Sequence, residues 1–203
     1  MRNERSGGSV RTLYPALIKR LADFGFALLG LVFLTPLWLL LALLIRLDSP
    51  GPVLFRQRRV GRGGHEFVLL KFRSMRTDTP NLSTAELRAS GLEPYTRVGT
   101  WLRKTSVDEQ PQLWNVLRGE MSIIGPRPAL PSQTELNADR EARGVHALRP
   151  GITGWAQVNG RDNLTDDEKV RFDAEYLERQ SLGFDLWILW RTLAEVATAR
   201  GNK

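Results

Sequence analysis

Two adjacent carboxylates, Asp108 and Glu109, stand inside a run of cations. Arg103 and Lys104 precede them; Arg118 and Arg127 follow. Just downstream an apolar pattern begins with Leu113, Trp114 and Leu117. Ser106 and Glu109 fit the S-x-x-E capping box, which would put both acids in the first turn of a helix. Unpaired N–H groups and the positive end of the helix dipole favour an ionised carboxylate there and can also hold a phosphate. An acid pair in a basic surround suits chemistry on a phosphorylated substrate with a divalent metal. The same residues also read as an ordinary helix start with one extra Asp. Pro111 leaves the register open. A cap at Ser106 puts the proline at the fifth helical position, where it removes a hydrogen bond, whereas a cap at Asp108 puts it in the tolerated first turn.

Other cations stand where a phosphate site could use them. Lys71 ends an apolar strand pattern and reads either as a partner for Asp108 or a phosphate, or as a solvated strand end. Arg127 lies in Ile124-Gly-Pro-Arg-Pro128, where two prolines stiffen an extended backbone. That segment is either a rigid connector or a device that holds a guanidinium fork ready for a diphosphate.

The elements that must position these groups follow from pattern. Val53–Val60 and Glu66–Phe72 read as strands of a hairpin around Gly61-Arg62-Gly63-Gly64. Arg56, Arg58, Arg59 and Arg62 crowd it, either as an edge-strand solubility device or as contacts to an anionic membrane surface. A short helix is expected over Thr84–Ala89 and an exposed one over Ser132–Ala147. Trp155 could stack on a base or pack in a core. Thr165 and Glu168 form a second capping box, opening a helix to about Ser181 with Val170, Ala174 and Leu177 as its buried stripe. Gly183 then ends that helix and Asp185 caps the next. In that last helix Trp187 and Trp190 lie one turn apart, which fits either a core helix or an interfacial one.

Composition narrows the classes. The 203 residues suffice for one domain with a core. A net charge of +7 implies anionic partners. With no cysteine and two histidines, thiol chemistry and Cys/His zinc sites are excluded. No P-loop occurs, and Gly61-x-Gly63-Gly64 lacks the strand–turn–helix setting of a dinucleotide site. Mean hydropathy of −0.26 hides one exception. Phe24–Ile45 runs 22 residues without a charge, ten of them Leu. As a straight helix this is roughly 33 Å, enough to cross a bilayer core of ~30 Å. Thr35-Pro36 interrupts it near the middle, and both flanks are basic, so the positive-inside rule marks no outer end. A spanning helix and a re-entrant one that leaves on its entry face are both open, the second needing the freed carbonyls satisfied at Thr35-Pro36.

Four ordered motifs, LIKRLAD (17–23), FRQRRVGRGGHEFVLLKFRSM (55–75), LRKTSVDEQPQLWNVLRGEMSIIGPRP (102–128) and RPGITGWAQVNGRD (149–162), cover most of the chain. They resemble the monotopic phosphoglycosyl transferases, the bacterial sugar transferases that act on polyprenyl phosphate. The resemblance implies an α+β fold, mostly helical, with a re-entrant membrane helix bent at Thr35-Pro36 and a small antiparallel hairpin. Its organisation would be a basic arm over 1–16, the re-entrant helix over 17–47, and a catalytic domain with interfacial helices over 48–203. The implied reaction moves a phosphosugar from a nucleotide-sugar, a UDP-sugar by expectation, to polyprenyl phosphate. Asp108 would be the nucleophile and a ligand of Mg²⁺. Glu109 would position metal or serve as acid or base, and Lys71, Arg103 and Arg127 would hold phosphate charge. The family's late acid maps to Asp185. Membrane lipid is a further implied partner, nucleic acid is not, and a homodimer is left open. The location would be the bacterial inner membrane, with the site on its cytosolic face. Without the resemblance, a membrane-anchored basic module that binds anionic lipid or nucleic acid is the first reading.

Overall fold

A computed structural model describes residues 14–80, 90–91 and 94–198. The expected helix over Thr84–Ala89 lies outside them, as does the arm up to residue 13. Tyr14–Ile18, assigned in part to that arm, instead forms a π-helical turn that leads into α1 (Lys19–Asp48). The order continues with β1 (Leu54–Val60), β2 (Glu66–Phe72), α2 (Arg97–Lys104), α3 (Gln112–Arg118), β3 (Ser122–Ile124), α4 (Thr134–Ala142), β4 (Gly151–Thr153), α5 (Asp166–Arg179) and α6 (Leu182–Thr198). This is the expected mostly helical α+β chain with a small antiparallel hairpin.

α1 is 30 residues long and helical through Pro36. The Thr35 hydroxyl donates to the Leu31 carbonyl at 2.6 Å. The carbonyl that Pro36 frees belongs to Val32, so the hydroxyl acts one residue away from the expected place. One stripe of α1 is buried along its whole length. Ala27 packs on Leu69, Leu113, Val116 and Met121, while Leu41 and Ile45 pack on Phe72 and Leu102. The opposite stripe is bare: Leu29, Val32, Phe33, Leu39 and Leu43 are all more than half exposed. By length and composition α1 is apolar enough to cross a membrane, which makes it a candidate membrane segment. Both ends of α1 are tied to the same globular body. Near the start Arg20 donates to the Val116 and Leu117 carbonyls, and Asp23 accepts from the Ile123 amide. At the finish Asp48 accepts from the Val98 amide, and Arg73 donates to the Pro50 and Ser49 carbonyls.

β1 and β2 pair antiparallel from Leu54↔Phe72 to Val60↔Glu66, turning through Arg62–Gly64. β3 and β4 form a separate parallel pair, Ser122↔Gly151 and Ile124↔Thr153. This second pairing joins two motifs far apart in sequence and depends on glycine at the crossing. A Cβ on Gly151 would stand 2.1 Å from the Gly125 amide nitrogen, and one on Gly154 would stand 2.0 Å from the Gly125 carbonyl oxygen. Neither distance is compatible with a side chain, so the two backbones touch directly.

α5 opens with the expected capping box of Thr165 and Glu168. Its buried residues are Val170, Asp173 and Tyr176, with Leu177 packed beside them and Ala174 less covered. The end of α5 corrects the sequence expectation. Gly183 and Asp185 both lie inside α6, so neither terminates nor caps a helix. Asp185 is instead buried, accepting from Lys19 at 2.7 Å, Tyr14 at 2.6 Å and Tyr176 at 2.7 Å. It therefore fastens the start of α1 to α5. Trp155 packs edge-on against Phe172 and Phe184 and donates to Glu175, which is the core alternative. Trp187 and Trp190 stack on the exposed face of α6 with Leu186 and Leu193. That face has the composition of a helix at headgroup depth.

A second buried ion pair braces the strap that carries Arg127. Arg140 donates twice to Asp173, at 3.0 and 2.7 Å, and once to the Arg127 carbonyl at 2.9 Å. Both side chains are almost fully covered. Removing one partner of such a pair strands the other charge in a medium that solvates it poorly. Asp173→Ala should therefore cost about 3–5 kcal/mol of unfolding free energy. Chemical denaturation in detergent measures it, and a loss under about 1 kcal/mol would mean that water reaches Arg140.

Candidate active site

The acid pair does not sit in the first turn of a helix. Ser106 adopts the left-handed conformation (φ 57°) and its side chain caps nothing. Val107–Glu109 form a single 3₁₀ turn, and α3 begins only after Pro111. The capping box at Ser106 is thus absent, and neither register imagined for Pro111 holds. The physical reason is burial. Asp108 and Glu109 are only 3% and 8% exposed, and a regular helix from Ser106 would carry Pro111 into its interior.

α3 aligns this turn against the hairpin through Asn115, which has no exposed surface. Its side-chain oxygen accepts from the Leu70 amide at 3.1 Å, and its nitrogen donates to the Val68 carbonyl at 2.7 Å. The carboxamide thus pairs with the free edge of β2 as another strand would. The next residue of β2 is Lys71, and the docking brings it to the acids. Lys71 Nζ lies 2.7 Å from Glu109 Oε1, and Arg127 Nη2 lies 3.2 Å from the same oxygen. Arg59, an unassigned cation of the hairpin, joins them. It donates to Gln57 and to the Pro128 carbonyl. Burial, with Arg127 beside it, pushes its guanidinium down to about 10.

The electrostatics separate the two acids. For Glu109, burial favours the neutral form, but Lys71 and Arg127 outweigh it and hold the carboxyl well below its usual range. For Asp108, burial is the largest influence and pushes the carboxyl up, with Glu109 adding to it; Lys71, Arg103 and Arg127 pull the other way. Burial also pushes the Lys71 ammonium down. Glu109 is thus a fixed negative charge committed to two cations, while Asp108 makes no such direct pair.

Asp108 faces a cavity of about 770 Å³ between the hairpin, the segment after β2 and the acid turn. Its lining includes Arg56, Arg59, Lys71, Arg76, Arg103 and Arg127, and Asp108 is the one acid among the described lining residues. Lys71, Arg103, Asp108, Glu109 and Arg127 are therefore brought together as expected. Asp185 is not among them and lines neither this cavity nor the one on the other side of the acid turn. Arg59 was visible in sequence only as one of four hairpin cations; its inward direction depends on strand register. Among the described residues no cluster of three metal-ligating side chains exists. Asp108 is the one described carboxylate lining this cavity that could hold a divalent ion, which would draw its other ligands from substrate phosphate and water.

Pairing with Lys71 gives Glu109 a testable acid dependence. A carboxyl depressed by folding contributes stability above its unfolded pKa, and that contribution is lost as pH falls through the depressed value. Lys71→Met removes the nearer cation and raises the folded pKa of Glu109. The acid-unfolding midpoint should then shift to higher pH, followed by tryptophan fluorescence; an unmoved midpoint would show that Arg127 alone holds the charge.

Known proteins resemble this chain over nearly its whole length. A family model described as "Bacterial sugar transferase" matches residues 14–199. The chain is 41% identical to a UDP-glucose:undecaprenyl-phosphate glucose-1-phosphate transferase of Xanthomonas campestris, covering 96% of this chain and 42% of that protein. It is equally 41% identical to a protein of the same description from Caulobacter vibrioides, covering 96% of this chain and 75% of that one. An N-acetylgalactosaminephosphotransferase of Aeromonas hydrophila acting on the UDP-sugar and undecaprenyl phosphate is 40% identical, over 93% and 45% of the two chains. The chain thus spans less than half the length of two of these three relatives. On the family match and these identities, the chain belongs to the bacterial sugar transferase family.

Proposed function

We propose that the protein transfers a phosphosugar from a nucleotide-activated sugar, a UDP-sugar, to polyprenyl phosphate. The products are polyprenyl-diphosphate-sugar and a nucleoside monophosphate, as at a first membrane step of glycan assembly. The observation that carries this reading is the basic cavity with Asp108 as its one described acid. A diphosphate brings several negative charges, and a preorganised set of guanidinium and ammonium groups in a partly dry pocket stabilises them strongly. Relatives described as acting on UDP-sugars and undecaprenyl phosphate support the choice of substrates.

In the first step the Asp108 carboxylate oxygen attacks the sugar-bearing phosphorus. The P–O bond to the nucleoside monophosphate breaks, and that group leaves with the electron pair. In the second step an oxygen of polyprenyl phosphate attacks the same phosphorus, and the carboxylate of Asp108 leaves. Two displacements replace one difficult attack between anions. Lys71, Arg103, Arg127 and Arg59 spread the developing phosphate charge. Glu109 accepts from Lys71 and Arg127 through one oxygen, a geometry that supports a positioning role over proton transfer. Mg²⁺, held by Asp108 and the diphosphate, would neutralise charge on the donor.

The anchor fits a lipid substrate. Both ends of α1 bond to one globular body, an arrangement that favours a re-entrant helix over a crossing one. The site would then lie at headgroup depth on the cytosolic face of the inner membrane, where a polyprenyl phosphate presents its phosphate. Cysteines introduced at Ser6 and at Arg62 should both react with a reagent applied from the cytosolic side; labelling from opposite sides would establish a crossing helix.

The deciding assay measures nucleoside monophosphate release from UDP-sugars with undecaprenyl phosphate and Mg²⁺. Wild type should require the lipid for turnover. Asp108→Asn should lower kcat by a factor of at least about 10³, since the amide cannot form the covalent intermediate. Full activity in that variant would remove Asp108 as nucleophile. A wild type inert towards every UDP-sugar, while folded in membrane, would favour a basic lipid-binding module.

A further inference from the structure

The acid pair borders a second cavity, on the side away from the hairpin. It encloses about 280 Å³ between the first half of α1, α3, β4 and the second half of α6. Phe26, Leu34, Leu113, Ile123, Leu189 and Val196 give it an apolar wall. Lys104, Ser106, Glu109, Gln110 and Arg161 are its charged and polar residues nearest the acid turn in sequence or in field, Arg161 being close enough to help hold Glu109 ionised, and Glu195 of α6 is a second acid in the lining. Glu109 lines this cavity, while the preceding residue Asp108 and the cations bound to Glu109 line the basic one. The two cavities therefore meet at the acid turn.

Two further observations fall on the same cavity. Among the described residues, Ser106 (φ 57°) and Arg161 (φ 51°) are the non-glycine residues in the left-handed region, and both line it. Strained backbone of this kind persists where the surroundings impose it and concentrates at functional sites. In addition Gln157, 5% exposed, also lines it and leaves its side-chain oxygen buried without a hydrogen-bond partner.

We propose that this second cavity receives the phosphate-proximal isoprene units of the polyprenyl phosphate acceptor, bringing its phosphate to the acid turn, where an oxygen can reach the Asp108-bound phosphorus from the face that the nucleoside monophosphate has left. This rests on the transferase reading above. The choice of occupant follows from position. The walls come from the two elements with bare apolar faces, α1 and α6, so an alkyl chain can pass from bilayer to cavity without crossing water. The polar end adjoins the reacting acid, so a chain carrying a phosphate at its tip fits where a phospholipid with a bulky headgroup would not. The volume takes only the first few isoprene units, and the rest of the chain stays in lipid.

The test uses the whole protein in phosphatidylglycerol vesicles with a UDP-sugar donor. Leu189→Trp and Val196→Trp fill the cavity from α6. Each should raise KM for undecaprenyl phosphate about tenfold, the scale at which a filled apolar pocket discriminates, with KM for the sugar nucleotide moving less than about twofold. Photo-leucine in place of Leu189 keeps the native shape and should cross-link undecaprenyl phosphate from vesicles in which phosphatidylglycerol is in large excess. Both KM values rising together, neither rising, or cross-linking to phosphatidylglycerol alone would overturn the assignment. If wild type turns over no sugar nucleotide, the transferase reading fails by itself, and the cross-link still reports whether a polyprenyl chain enters.

Discussion

One oxygen of Glu109 holds Lys71 and Arg127 together, and three otherwise separate pieces of chain meet there. Lys71 comes from the hairpin, Glu109 from the acid turn, and Arg127 from the proline-bounded strap. Each charge would be costly to bury alone. Together they form a unit with one positive charge in surplus, and both cations line the cavity that Asp108 also lines. The unit explains why the two adjacent acids differ. Glu109 is committed to its cations, and Asp108 is left directed at whatever the basic cavity binds.

The rest of the globular body fixes the three contributors in place. Asn115 mates α3 with the edge of β2 and so sets the reach of Lys71. Direct glycine contacts between β3 and β4 set where the strap leaves the core. Arg140 and Asp173 then hold the strap by the Arg127 carbonyl. These supports are short-range and side-chain specific, so the site is rigid where phosphate charge must be met without reorganisation. Asp185 performs the same service for the start of α1 by gripping Lys19, Tyr14 and Tyr176.

The bare apolar surface is continuous with this logic. α1 uses one stripe as core and leaves the other bare, and α6 presents Trp187 and Trp190 beside it. A site built between these elements and a basic hairpin has one apolar approach and one charged approach. That division suits a reaction between a water-soluble anion and a lipid-borne one.

The sequence by itself determined the parts whose signals are local. Two strand patterns around the glycine-rich turn Gly61–Gly64 marked the hairpin to within one residue, Thr165 and Glu168 marked the start of α5, and an uncharged run of 22 residues marked the candidate membrane segment. Ordered motifs also made the family legible and singled out Lys71, Arg103, Asp108, Glu109 and Arg127, which the fold brings together. Tertiary structure alone decided what depends on contacts across the chain. Burial of two carboxylates against Lys71 and Arg127 overrode the capping box at Ser106 and produced a left-handed residue and a 3₁₀ turn. Asp185 looked like a cap because Gly183 looked like a stop, yet its carboxylate is claimed by partners more than 160 residues earlier. The inward turn of Arg59, the docking role of Asn115 and the second cavity are likewise invisible to local pattern, because each is a property of two surfaces meeting.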